Sequence, residues 1–372
     1  MSTTDSTVGA VNVPRAAQLS EGTAVTVTGE VPPDALGVVL PHEHLLSDFA
    51  TPGDTAASWA AVGRTRPTAA HWLTFYRAPL TMKLLGEVGM GAPNRDNWLL
   101  GDEALAAEEA TAYRLAGGAT LVDATPVGLG RRPAALRRIS EATGLHIVRG
   151  AGRYHPAWGE GPADITSESL TEEIVRDLTE GVDGVRAGLI GQLSALDPTQ
   201  PAARAVLVAA ARASAATGAP ISLNRCADAT TQQRVLDLLA DEGADLTHVA
   251  IGHCDALSPR PDDLQPLLER GVFVQFDQLG RLPSALSGHD DQDVAAAVLE
   301  LARQGHTGRV LLSQGVSTKA QLLAYGGGGY GFILHQFIPY MRMLGADDAL
   351  LESITVRNPA RLLTIANRKA DS

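Results

Sequence analysis

No apolar run in the 372-residue chain is long enough to cross a membrane. Cysteine occurs only at Cys226 and Cys254. Two thiols in a chain of this length make no disulfide framework, and a reducing cytoplasm is the expected compartment. The opening residues, MSTTDSTVGAVNVPRAAQLSEG, contain no basic stretch followed by an apolar one. No secretory signal is therefore expected, and residues 1–25 read as a flexible leader. Lysine is also scarce: it occurs at Lys83, Lys319 and Lys369, and arginine carries nearly all the positive charge. The formal net charge is −12. That balance argues against nucleic-acid or anionic-membrane partners, and the partner expected is a small-molecule substrate.

What is present is alternation. Short apolar runs at 36–44, 120–126, 146–152, 187–193, 220–226, 248–255, 272–278 and 309–315 read as strands. Amphipathic stretches lie between them. DEALAAEEATAYRLAGG (102–118) opens on acids, and AARAVLVAAARASAATGA (202–219) closes on Gly218 at the helix C′ position. Eight strand–helix units predict a TIM (β/α)8 barrel, one domain over 26–368. Two segments break the rhythm. Residues 47–101 form a long loop between the first strand and first helix, expected at the C-terminal mouth where barrel active sites sit. AYGGGGYG (324–331), after the last strand, reads as a mobile flap.

The strongest local signal is His42-Glu43-His44 at the end of the first strand. Residues two apart on a strand share a face, so both imidazoles can reach one point. IGHCD (251–255) presents His253 at the end of the sixth strand. LGVVLPHEHLL, GGATLVDATPVGLGR, GVRAGLIGQL, HVAIGHCD and ITVRNPARLL together resemble the phosphotriesterase-like branch of the amidohydrolase superfamily, over nearly the whole chain after residue 25. The resemblance implies two divalent metals at the strand ends. An H-x-H pair and a strand-eight aspartate hold one, histidines of strands five and six hold the other, and a carboxylated lysine of strand four bridges them. It also implies a homodimer.

His42, His44 and His253 match that pattern. The lysine position is Gly191, the strand-five histidine is Asn224, and the strand-eight aspartate is Gly315. Three neutral imidazoles do not offset the repulsion of two adjacent dications. A binuclear site is therefore not expected. No metal is favoured; one zinc on His42, His44 and His253 is the alternative. The expected activity is metal-independent acid–base chemistry on a small organic substrate, of lyase, cyclase or isomerase type, with hydrolysis less favoured. A mononuclear-metal hydrolase or lactonase, and an inactive ligand- or partner-binding barrel, stand as alternatives. His42, His44, His253 and Asp277 are the catalytic candidates, with Asp277 orienting one imidazole. Asn224, Arg225, Arg153, Tyr154 and Gln278 are candidates for substrate binding, and Lys319 and His155 lie near strand ends. Cys226 is read as sharing a strand face with Asn224, yet as packing rather than a nucleophile, and Cys254 likewise. Gly191 and Gly315 are read as leaving room for a ligand to sink into the mouth.

Overall fold

The computed structural model describes residues 22–155, 158, 166–194, 196–283 and 287–366. Eight parallel strands form one sheet: β1 Val39–Glu43, β2 Thr120–Asp123, β3 His146–Ala151, β4 Leu189–Leu193, β5 Ile221–Asn224, β6 Val249–Gly252, β7 Phe273–Phe276 and β8 Val310–Leu312. Neighbours in sequence are neighbours in the sheet, as a barrel requires. Each lies within a run the sequence marked. Helices follow on the outside, among them α1 Glu103–Leu115, α2 Pro133–Thr143, α3 Ser167–Thr179, α4 Pro201–Thr217, α5 Ala229–Asp241 and α6 Asp291–Arg303. Asp102 caps α1 by accepting from the backbone N–H groups of Ala104 and Leu105, and Gly218 ends α4 with φ 78°.

Side chains alternate across each strand. On β7, Val274 and Phe276 pack outward against the helices, and Phe273 packs inward with Ala250 and Leu311. Val39, Val122, Val148 and Leu189 fill the N-terminal end of the lumen with Ala360 and Leu363 of the last helix, Asn358–Leu363. The barrel floor is therefore apolar, and polar groups concentrate above it.

The β1–β8 seam is closed by a side chain rather than by a regular ladder. Glu43 is fully buried. Its Oε1 accepts from the Gln314 N–H (2.8 Å) and the Ser313 hydroxyl (2.7 Å), and its Oε2 accepts from the Val316 N–H (2.8 Å). Backbone bonds from His44 N to Val316 O and from Gly315 N to His42 O flank it. Burial pushes the Glu43 carboxyl up to about 7 against these donors.

Two expectations need correction. Gly22–Thr26, whose first four residues fell in the leader, form a strand paired with Gly29–Val31 and Ile365–Ala366. The leader's residues 1–21 lie outside the described residues. The glycine-rich segment 324–331 is tied down rather than free. Glu109 accepts from the N–H groups of Leu323 and Ala324, Gly329 N donates to Gln321 O, and the buried Tyr330 hydroxyl donates to His44 O at 2.7 Å. The long loop does return to the mouth: Phe49 packs edge-on to His44 with centroids 4.8 Å apart. No helix among the described residues is long and apolar enough to cross a membrane.

Replacing Glu43 by alanine strands two buried backbone N–H groups at the seam. Glu43→Ala should lower unfolding stability by about 3 kcal/mol, at roughly 1–3 kcal/mol per orphaned donor. Urea denaturation measures it, and an unchanged midpoint would contradict the assigned seam.

Candidate active site

The site is organised around one carboxylate. Asp277 follows β7 and is fully buried. Its Oδ2 accepts from His42 Nδ1 (2.6 Å) and Gln275 Nε2 (2.9 Å), and its Oδ1 accepts from His253 Nδ1 (2.7 Å) and the His253 N–H (2.8 Å). Burial alone would raise this acid, but the His253 and His42 imidazoles beside it hold it well below the usual carboxylate range. Asp277 thus orients two imidazoles rather than the single one expected. His253 needs this hold, because it sits in the left-handed region (φ 58°, ψ 33°), where a non-glycine residue is strained. For His253 itself burial works against protonation, and the Asp277 charge and hydrogen bond outweigh it, so its pKa is raised.

The sequence-derived histidines converge. Ring centroids are 5.5 Å apart for His42 and His44, and 5.6 Å for His42 and His253. His44 is anchored separately, with Nδ1 2.8 Å from the Thr125 hydroxyl. Burial, then the neighbouring His42 and His253, hold its pKa well below the usual value, so it is neutral. One donor atom each from His42, His253 and Asp277 lie within 4.8 Å of one another, a grouping able to hold a metal ion. The convergent trio therefore contains Asp277 where the sequence reading placed His44.

Other candidates separate. Asn224 ends β5 facing the lumen, and its Oδ1 is buried without a hydrogen-bond partner, as are Gln192 Oε1 and Gln275 Oε1. Asp255 is buried and accepts from the N–H groups of Asp277 (3.0 Å) and Gln278 (3.1 Å), which makes it a brace for the β7 end. Burial and the Asp277 charge push its carboxyl up. Arg225 donates to the carbonyls of Cys226 and His253, Arg153 pairs with Glu173, and Lys319 pairs with Asp96. Tyr154 packs edge-on to Phe49 and Trp158, one ring away from His44. His155 follows it, with burial lowering its pKa.

Two further readings are overturned. β5 ends at Asn224, and Cys226 lies in the outer core with its thiol near Leu196 O, so the two do not share a lumen face. Nor do the glycines leave room. Gly191 has φ +123°, and a Cβ there would overlap the Ser222 carbonyl. Gly315 has φ +54°, and a Cβ there would stand 2.6 Å from the Asp277 carbonyl oxygen. Backbone already fills both places.

Sequence reasoning missed Thr125, Gln275 and Arg281. Gln275 was findable, since it lies two residues before Asp277 on the same strand face. Arg281 lies in the loop after β7, near enough for its charge to act on His44 and His253.

The sequence profile of the phosphotriesterase family matches residues 22–363. An N-acetyltaurine hydrolase of Xenopus tropicalis is 29% identical over 354 residues, covering 92% of this chain and 98% of that protein. A resiniferatoxin-binding protein from Rhodobacter sphaeroides is 35% identical with a TM-score of 0.82, covering 93% and 98% of the two chains. A mutant of a phosphotriesterase-like lactonase from Deinococcus radiodurans is 29% identical with a TM-score of 0.69, covering 92% and 100%. These findings correct the expected activity. Full-length relatives are named as hydrolases, which overturns the reading of metal-independent lyase, cyclase or isomerase chemistry.

Both thiols are buried, and burial pushes Cys226 up to about 11 and Cys254 higher still. At pH 8 the native protein should react negligibly with a thiol-specific disulfide reagent, and unfolding should release both cysteines. Rapid native labelling of either thiol would contradict this packing.

Proposed function

The chain belongs to the phosphotriesterase family, and we propose that it is a hydrolase of carboxylic-acid derivatives, an amide or a lactone, using one divalent metal. The observation that carries the reading is the convergence of His42, His253 and Asp277, whose donor atoms lie within 4.8 Å of one another. Two imidazoles and one carboxylate are a donor set suited to a single dication, zinc above all. His42, His253 and Asp277 would be the residues that hold the ion, and binding it would release protons from them. Once bound it supplies Lewis acidity toward a carbonyl oxygen.

The fit is to one ion and not to two. Positions 191 and 315 carry no side chain, and their surroundings accept none without backbone movement. Asn224 offers a neutral amide oxygen. One buried carboxylate offsets half the charge of one dication and only a quarter of that of two.

The remaining residues position and shuttle. Asp277 fixes the planes of His42 and His253, and Gln275 holds Asp277. His44, kept neutral by burial and held at Nδ1 by the Thr125 hydroxyl, is the proton acceptor this reading assigns to the site. Phe49, Tyr154 and Trp158 form an apolar wall beside His44 that would receive the acyl or leaving group. The relatives' names favour amides and lactones as the first substrates to assay.

The test is metal analysis of protein purified with and without added zinc, combined with turnover of N-acyl amides and lactones. About one ion per chain is expected, with activity lost to a chelator and restored by zinc. Asp277→Asn should lower metal content more than His44→Gln does. Two ions per chain, or turnover indifferent to chelation, would overturn the proposal.

A further inference from the structure

Gly315 and Arg281 meet at one place in the site. Where a Cβ on Gly315 would stand, Nη2 of Arg281 is 3.5 Å away. The guanidinium reaches from the loop after β7 toward the position where the family resemblance implies a carboxylate. A cation thus stands near the place where that resemblance implies an anion. The same Cβ point lies 2.6 Å from the Asp277 carbonyl oxygen, so the guanidinium stands beside the backbone of the residue that holds His42 and His253. Arg281 has no ion-pair partner among the described residues, and it is solvent-exposed. Two other arginines near strand ends are committed: Arg153 to Glu173, and Arg225 to two backbone carbonyls.

A cation here has two effects. It repels a second dication, and it offers forked N–H donors to a carbonyl or carboxylate oxygen. We propose that Arg281 is the oxyanion-binding residue of the site, contacting the substrate's carbonyl oxygen as negative charge develops and then the carboxylate product. This rests on the hydrolase reading above. In the reaction the water oxygen bonds to the acyl carbon, the acyl C–N or C–O bond breaks, and the leaving group takes up a proton. Arg281 makes and breaks no covalent bond.

The test compares wild type, Arg281→Gln and Arg281→Lys. Acetate binding is measured by calorimetry, kcat and KM on the best substrate found, and metal content and thermal midpoint on each variant. Arg281→Gln should weaken acetate binding about tenfold or more. It should lower kcat by roughly 10²-fold, the usual loss of an oxyanion donor, with metal content and midpoint unchanged. Arg281→Lys should recover part of both losses. Acetate affinity and kcat that stay within about twofold in Arg281→Gln would overturn the proposal, as would a wild-type protein that binds no acetate. The two readings fail separately. Acetate binding that depends on Arg281 without any hydrolysis removes the hydrolase and keeps the anion site; hydrolysis indifferent to Arg281 does the reverse.

Discussion

The site depends on one buried carboxylate that ties three strand ends together. Four N–H groups converge on Asp277, from His42 on β1, from the ring and backbone of His253 after β6, and from Gln275 on β7. Each donor comes from a segment that β-sheet pairing alone would leave free to tilt. Together they lock the ends of three strands to one buried charge, and they hold His253 in a backbone region it would otherwise leave. Burying a carboxylate is costly unless its acceptor capacity is filled. Here the saturation that makes the charge tolerable is also what sets the imidazole planes.

Glu43 performs the matching service at the seam. It lies between the two histidines of the strand-one motif, so its side chain turns away from theirs and reaches β8. One tripeptide therefore supplies two site imidazoles and the closure of the barrel that positions them. Tyr330 extends the same logic to the last loop, whose hydroxyl fixes the His44 carbonyl. The mouth is assembled from carboxylates and hydroxyls that pin backbone, and the catalytic groups take their orientation from it.

The fold was legible because it depends on periodicity, which a linear sequence displays. The eight apolar runs, the acidic start of α1 and Gly218 at the end of α4 all follow from local rules. The histidines were legible because strand ends at the C-terminal face of a barrel face one another. What escaped was reach. Period two assigns Asp277 to the lumen face but does not show that its two oxygens meet different strands. Cys226 was placed on the face of Asn224 because nothing in PISLNRC marks where pairing stops. The flap was misjudged because the partner of Leu323 and Ala324 is Glu109, more than two hundred residues earlier. Arg281 was silent for a related reason: its meaning comes from the absence of a side chain at Gly315, thirty-four positions along the chain.

The two glycines carry a consequence for anyone who would redesign this mouth. At Gly191 and Gly315 the backbone takes conformations that side chains rarely adopt, and a neighbouring carbonyl oxygen stands within 2.6 Å of where each Cβ would lie. A lysine or aspartate introduced at either place would meet main chain before it met anything else. New anionic groups could be added here only by rebuilding two strand ends together.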